Sequence, residues 1–301
     1  MSATGHADRM AATYSTGAFA RTVAAGGNPG LMNLGFADDP HRPGSTARRQ
    51  RRLAELVLAE LSPAPGQVLL DVGCGKGGMA NLIGRVAPGT RVMGVNIDRH
   101  QLAVASRGKA PGAGFTTGDA ERLPFATAAF DTVYAIEVLS HIGDKKALFG
   151  ELARVLRPGG RLVLAAITLT CPYLAFGADE RTHLVRVADL FSERPEDIPT
   201  LAELHDLLVS EGLRVSRTRD LTAGVFSPRH DTFVRMRRWA CHSNPLARAA
   251  FAMAVALRWR LRAGEFATFL TVNTEMDPGL FYEYHLLTCD AAAAVNEEDV
   301  P

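Results

Sequence analysis

Along residues 67–169 the chain alternates between short apolar runs and stretches whose apolar residues recur every three or four positions. The runs "QVLLDVG" (67–73), "RVMGVNI" (91–97), "GFTTGDA" (114–120), "AFDTVYAIEVL" (129–139) and "RLVLAAITL" (161–169) read as five strands. Between them the periodicity predicts a helix from the glycine-rich turn to Arg85 and another ending at Lys109. A third covers 144–156 and stops at "RPGG", where proline and glycine end the pattern. Strands alternating with helices imply right-handed βαβ units, hence a parallel sheet covered on both faces.

After Leu169 the rhythm changes. Residues 171–199 read as a loop with short helical pieces, and "TLAELHDLLVSEGL" (200–213) as an amphipathic helix. "RVSRTRDL" (214–221) reads as a sixth strand and "GLFYEYHLLTCD" (279–290) as the last, with a mostly helical insertion between them. Ahead of the sheet, "TARRQRRLAELVLAEL" (46–61) spaces Leu53, Leu56, Val57 and Leu61 at helical intervals, so its arginines read as the solvated face of a helix, with a phosphate-binding patch as the alternative. The pattern is that of an α/β fold with a seven-stranded, mostly parallel sheet. Its organisation reads as an N-terminal helical cap (1–60), a core (61–222), a helical lid (223–278), the last core strand (279–290) and a disordered tail (291–301).

Composition narrows the partners. With 301 residues, 47% of them hydrophobic, the chain can build one large domain or a domain with a lid. A net charge of +1 leaves no electrostatic footprint for nucleic acid or for an anionic membrane surface. Cys74, Cys171, Cys241 and Cys289 form no CxxC and have no histidine at ligand spacing, so no metal site is expected. Free thiols, no visible signal peptide and no apolar stretch longer than "AAFAMAVAL" (249–257) point to a soluble cytoplasmic protein.

The chemistry concentrates in "LLDVGCGKGGMANLIG" (69–84), where Gly73, Gly75 and Gly78 spell the dinucleotide pattern G-x-G-x-x-G. Such a turn places backbone N–H groups and a helix N-terminus beside a ligand. Asp71, directly before the glycines, argues against a dinucleotide: its carboxylate repels a pyrophosphate and suits a cofactor carrying an ammonium or sulfonium charge. In "GDAERLPF" (118–125), the Asp119 carboxylate can accept from an adenine amino group, and the Ala120 N–H can reach a ring nitrogen.

Together "VLLDVGCGKGG", "GDAERLPF", "FDTVYAIEVLSHI" and "ARVLRPGGRLVL" resemble, in order and spacing, the successive motifs of class I S-adenosylmethionine-dependent methyltransferases. The likeness is to the branch acting on small molecules of natural-product type. It implies a Rossmann-like core with helices on both faces, S-adenosyl-L-methionine as cofactor and a small-molecule substrate. On this resemblance Asp71, Gly73 and Gly75 cradle the methionine portion. Asn96 stands where the family carries an acid for the ribose hydroxyls, Ile97 lies against adenine, and Gln101 is the second ribose contact. Asp98, one position past Ile97, reads instead as the cap of the following helix. Tyr14 and Asn33-Leu34-Gly35-Phe36 resemble the segment that closes over the methionine end. Glu137 binds the cofactor's amino group or the substrate, or is a solvated strand-end acid.

His141 in "EVLSHI" matches the histidine that O-methylating relatives use as a base, so it is the expected catalytic residue. Those relatives pair it with an acid at the end of the fifth strand, where this chain has Ala166. Aromatic and apolar residues in the insertion, Phe226, Met236, Trp239, Phe251, Trp259 and Phe269 among them, suggest a lid over a bulky, largely apolar acceptor. Methyl transfer, with oxygen favoured over carbon or nitrogen, is the expected reaction. The alternative is a protein that keeps the cofactor while its pocket guides a rearrangement or cyclisation. Oligomeric state is left open.

Overall fold

A computed structural model of the chain describes residues 30–40, 44–191, 193–226, 244–246, 249, 253 and 280–292. Seven strands form one sheet: β1 (Val68–Val72), β2 (Arg91–Asn96), β3 (Ala113–Thr117), β4 (Phe130–Ile136), β5 (Leu156–Leu169), β6 (Leu213–Asp220) and β7 (Tyr282–Ala291). Their order is β3-β2-β1-β4-β5-β7-β6. The first five pair in parallel, and β7 runs antiparallel between β5 and β6. The mostly parallel α/β sheet expected from the sequence is present.

Seven helices accompany it among the described residues: α1 (Thr46–Leu61), α2 (Gly78–Val86), α3 (Arg99–Arg107), α4 (Lys145–Val155), α5 (Ala178–Phe191), α6 (Leu201–Ser210) and α7 (Thr222–Val225). Strand alternation divides the core between the two faces. Leu70, Val72, Val133, Ala135, Leu162 and Leu164 pack with Leu148 and Leu152 of α4 and Leu204 and Leu208 of α6. On the other face Leu69, Tyr134, Val163 and Tyr284 meet Leu53, Val57 and Leu61 of α1 and Met79 and Ile83 of α2. Each such leucine contributes about 1.5–3 kcal/mol by leaving water. A third cluster, built from Leu169, Phe176, Leu184, Ile198 and Tyr282, sits beyond the carboxyl end of β5.

Several boundaries differ from the sequence reading. The 171–199 segment contains the expected short helical pieces, Tyr173–Ala175 and Pro195–Asp197, and between them the fourteen-residue helix α5, which the sequence reading did not expect. Asp179 and Glu180 in its first turn favour the helix N-terminus, and the Glu180 carboxylate accepts from the Gly177 amide at 2.7 Å. Leu184 and Ala188, one turn apart, are buried among surrounding charges that hide the stripe. β5 begins at Leu156, not Arg161, because "RPGG" runs on as extended chain. Gly159 at φ 71° and a register shift between Phe130 and Thr132 absorb the irregularity. β7 continues through Ala291, one residue past the strand end read from the sequence.

The arginines of α1 are not all solvated. Arg49 is 2% exposed and donates from Nη2 to the carbonyls of Gly224 and Val225 at 2.8 and 3.2 Å, tying α1 to the end of α7. Among the described residues no helix is long and apolar enough to cross a membrane, and no cluster of His, Cys, Asp or Glu could hold a metal ion.

Candidate functional site

The site is built at the carboxyl ends of β1, β2, β3 and β4. β1 delivers Asp71 and then turns sharply through Gly73 and Gly75, both left-handed at φ 68° and 52°. The Gly73 and Cys74 amides donate to the Val95 carbonyl at 2.9 and 3.1 Å, locking the turn to β2. A side chain at Gly73 would overlap Val138, so only glycine lets the two strand-end turns touch. A Cβ at Gly75 would meet nothing nearer than Gln101 Oε1 and Met32 Sδ, each at 3.4 Å. Helix α2 then starts with no side-chain cap, leaving its first amides to other acceptors.

Asp71 is 3% exposed, and burial pushes its carboxyl up to about 7. The neighbouring Tyr134 hydroxyl and Ala80 amide offset this in part. Its Oδ2 and the Tyr134 hydroxyl nevertheless lack a partner in hydrogen-bond geometry. Cys74 beside it is buried, and burial pushes its thiol up, so it fills the turn as a small side chain rather than serving as a nucleophile.

At the end of β2, Asn96 donates from Nδ2 to Gln101 Oε1 at 2.9 Å, bringing together the two residues expected at the ribose. Its own Oδ1 accepts from the Ile97 amide at 3.0 Å. Asp98 caps α3, accepting from the His100 and Gln101 amides at 2.8 and 3.3 Å, as strand alternation implied. The Gly118 amide donates to the Asn96 carbonyl at 3.1 Å, which sets the Asp119–Ala120 turn beside Asn96. Asp119 is exposed and accepts from the Glu121 amide at 3.0 Å, while Ala120 packs against the core.

Glu137 leaves β4 in the left-handed region at φ 56°, an unusual conformation for a residue with a side chain. It is not a solvated strand-end acid. The Leu34 amide donates to both its oxygens at 2.9 and 3.1 Å, and the Tyr284 hydroxyl donates to Oε1 at 2.9 Å. Burial pushes this carboxyl up to about 7 as well. The Leu34 contact, across 103 residues, lays the 30–36 segment over the glycine turn; Tyr14 falls outside the described residues.

His141 closes the short turn Leu139–His141 and is nearly buried. Its Nε2 lies 3.7 Å from Oε1 of Glu193, and the Ser140 hydroxyl donates to that same oxygen at 2.7 Å. Glu193 is pushed up to about 7 by burial, against the Ser140 hydroxyl and the charge of Lys145. Ala166, where relatives carry the acid, is buried in the core beside Leu164 and Leu287. Sequence reasoning missed Glu193, Met32 and Tyr284. No local motif marks them, because each arrives from a distant segment.

Over residues 70–164 the chain matches a family described as a methyltransferase domain. It is 35% identical over 203 residues to the O-methyltransferase rstn1 of Aspergillus nomiae, covering 65% of this chain and 87% of that one. The chain belongs to the class I S-adenosylmethionine-dependent methyltransferases. This methyltransferase also shares its fold with the 4+2 cyclase SpnF, at a TM-score of 0.71 and 21% identity over 96% and 97% of the two chains. A geranyl diphosphate C-methyltransferase from Streptomyces coelicolor A3(2) gives a TM-score of 0.67 at 18% identity, over 96% and 99%.

The methyltransferase uses S-adenosylmethionine, and its residues fit that group. Asp71 Oδ2 is a buried acceptor without a donor, Gly75 is flanked by the side chains of Gln101 and Met32, and the Asn96–Gln101 amides and the exposed Asp119 carboxylate border the same turn.

Proposed function

We propose that this methyltransferase methylates a hydroxyl group on a bulky, largely apolar small molecule, with His141 as general base. The observation that carries the reading is the placement of His141. Its turn, Leu139–His141, follows directly on Val138, which packs against Gly73, and the imidazole Nε2 lies 3.7 Å from the Glu193 carboxylate. The name of the Aspergillus nomiae relative, an O-methyltransferase, supports oxygen as the acceptor atom.

Asp71 and Glu137 would hold the cationic methionine end, Asn96 and Gln101 the ribose, and Ile97 with the Asp119–Ala120 turn the adenine. The bound cofactor supplies a methyl group already activated on a sulfonium. The protein's work is then alignment in a dry pocket, with the acceptor's proton passing to His141. The apolar cluster beyond β5, extended by Phe226 and the Tyr282 ring, forms one wall for the acceptor. The Tyr282 hydroxyl is buried there without a partner and offers a hydrogen bond to a polar group of the acceptor. Most of the segment 223–278, read from the sequence as a lid, and Tyr14, read as closing the methionine end, lie outside the described residues.

A positioned base contributes about 10²–10⁴-fold. His141→Ala should therefore lower turnover by about 10²-fold or more and leave S-adenosylhomocysteine affinity nearly unchanged. Turnover at the wild-type rate would remove the base role. Stoichiometric formation of S-adenosylhomocysteine and methylated product separates this reading from a cyclisation that leaves the cofactor intact.

A further inference from the structure

A histidine that takes a proton is more effective when a carboxylate behind it fixes the ring and stabilises the imidazolium as it forms. In this chain the strand position for such an acid is Ala166, buried in the core. The carboxylate that faces His141 comes from a different element, the short link between α5 and the turn Pro195–Asp197. We propose that Glu193 is the positioning residue for His141, supplied by this link in place of the missing strand acid. The inference rests on the reading of His141 as the base.

Three observations carry it. The Glu193 carboxylate is held in place, because the Ser140 hydroxyl donates to Oε1 at 2.7 Å from the residue directly before His141. That same oxygen stands 3.7 Å from Nε2, beyond a full hydrogen bond but within ion-pair range, so the contact strengthens when the ring gains its proton. And the side chain is 9% exposed, where a charge interacts far more strongly than at the surface.

The surroundings suit an acid whose charge responds to the histidine. Facing Glu193 are Ser140 and His141 from the turn after β4, Lys145 from α4, Glu137 from the end of β4 and Tyr282 from β7. Lys145 donates to the Ile142 carbonyl at 2.9 Å and favours the charged carboxylate from there, while Glu137 opposes it. The link also joins two parts of the acceptor wall. Leu184 lies on α5 before Glu193, and Ile198 follows the Pro195–Asp197 turn, both in the cluster beyond β5. An acceptor that presses on this wall bears on the same segment that places the acid.

The test follows the His141 ring by ¹⁵N and ¹³C NMR in the S-adenosylhomocysteine complex of the full chain, with Glu193→Gln, Glu193→Asp and Ser140→Ala. An opposite charge at this range moves a titration midpoint by about one pH unit or more. Removing it in Glu193→Gln should lower the His141 midpoint by about one pH unit and weaken the preference of the resting proton for Nε2, with Glu193→Asp restoring part of both. Ser140→Ala keeps the carboxylate but frees it, so a smaller change in the same direction is expected, and this variant decides the matter if Glu193→Gln does not fold. A midpoint and tautomer unchanged in a folded variant, or a midpoint that rises, overturns the role of Glu193. Failure of the base reading is a separate outcome: His141→Ala would then turn over at the wild-type rate whatever the titration shows.

Discussion

Replacing Asp71 by asparagine separates the cost of burying this group from its use. In the ligand-free protein the carboxyl sits at about 7, against an ordinary value of 3.8, and burial is the main cause. The folded state thus keeps a proton that the unfolded chain releases above about pH 4. The sign follows from that difference: stability conferred by the neutral acid is present below about pH 4 and is lost as pH rises to about 7. The ceiling on the loss is on the order of 4 kcal/mol, since each pH unit between the two values contributes about 1.4 kcal/mol. Asparagine has nearly the same shape and cannot ionise. Without ligand, Asp71→Asn should match the wild type near pH 4 and be the more stable protein at pH 8. Cofactor binding should respond in the opposite sense. A charged hydrogen bond to the cationic methionine end contributes about 1.5–3 kcal/mol, so the variant should bind S-adenosylhomocysteine about ten- to a hundred-fold more weakly. Wild-type binding at pH 7 should also release about half a proton from this group, a quantity lost in the variant. Denaturant melts at pH 4 and 8, with calorimetry in two buffers of different ionisation enthalpy, measure all three. A variant less stable than wild type at pH 8, or one with undiminished affinity, would refute this account of Asp71.

Asn96→Ala deletes a neutral contact whose partners can rehydrate, so cofactor affinity should fall by about 1 kcal/mol, roughly five-fold by calorimetry. Asn96→Asp should bind as well or better, since Gln101 can turn its amide to donate; abolished binding would mean this strand end does not face the ribose. Gly78→Ala places a methyl group on the Gly30 carbonyl and must displace the 30–34 segment, whose Leu34 amide holds Glu137. It should cost about 1–3 kcal/mol of stability and weaken S-adenosylhomocysteine binding, and a wild-type denaturation midpoint would count against that packing.

The alternating half of the fold was legible because burial there follows a local period. Leu69 and Leu70 fall on opposite faces of the sheet, as do Val133 and Tyr134, and Val163 and Leu164. The helices between strands show their own stripes and stops. What failed to register was set by tertiary contact. α5 sets its buried Leu184 and Ala188 among Arg181, Arg186, Asp179 and Glu180, and those charges obscure its periodicity. The early start of β5 depends on the register it adopts against β4, which absorbs a proline and two glycines that would ordinarily mark a turn. The place of β7 between β5 and β6 depends on pairing across a long insertion, and no local pattern encodes that.

The site divides along the same line. Asp71, Asn96, Asp119 and His141 sit at or just beyond strand ends, and their motifs name them without knowledge of what they touch. Glu193 reaches the turn of Ser140 across 53 residues, Leu34 reaches Glu137 across 103, and Tyr284 reaches it across 147. Burial is equally invisible in the sequence, yet it decides the electrostatics. Asp71, Glu137 and Glu193 are each pushed up to about 7 by desolvation, and Glu193 raises Glu137 further. Three acids that ionise reluctantly at one end of one sheet make ligand charge selective. A pyrophosphate would add negative charge to a place already short of counterions. A cationic ligand instead supplies the charge that lets these acids ionise, and Asp71 Oδ2 stands there as an acceptor with no donor of its own. Asp71 therefore disfavours a dinucleotide for a broader reason than its position before the glycines. The preference belongs to the buried carboxyls together, two of which are held through contacts made only in the folded chain.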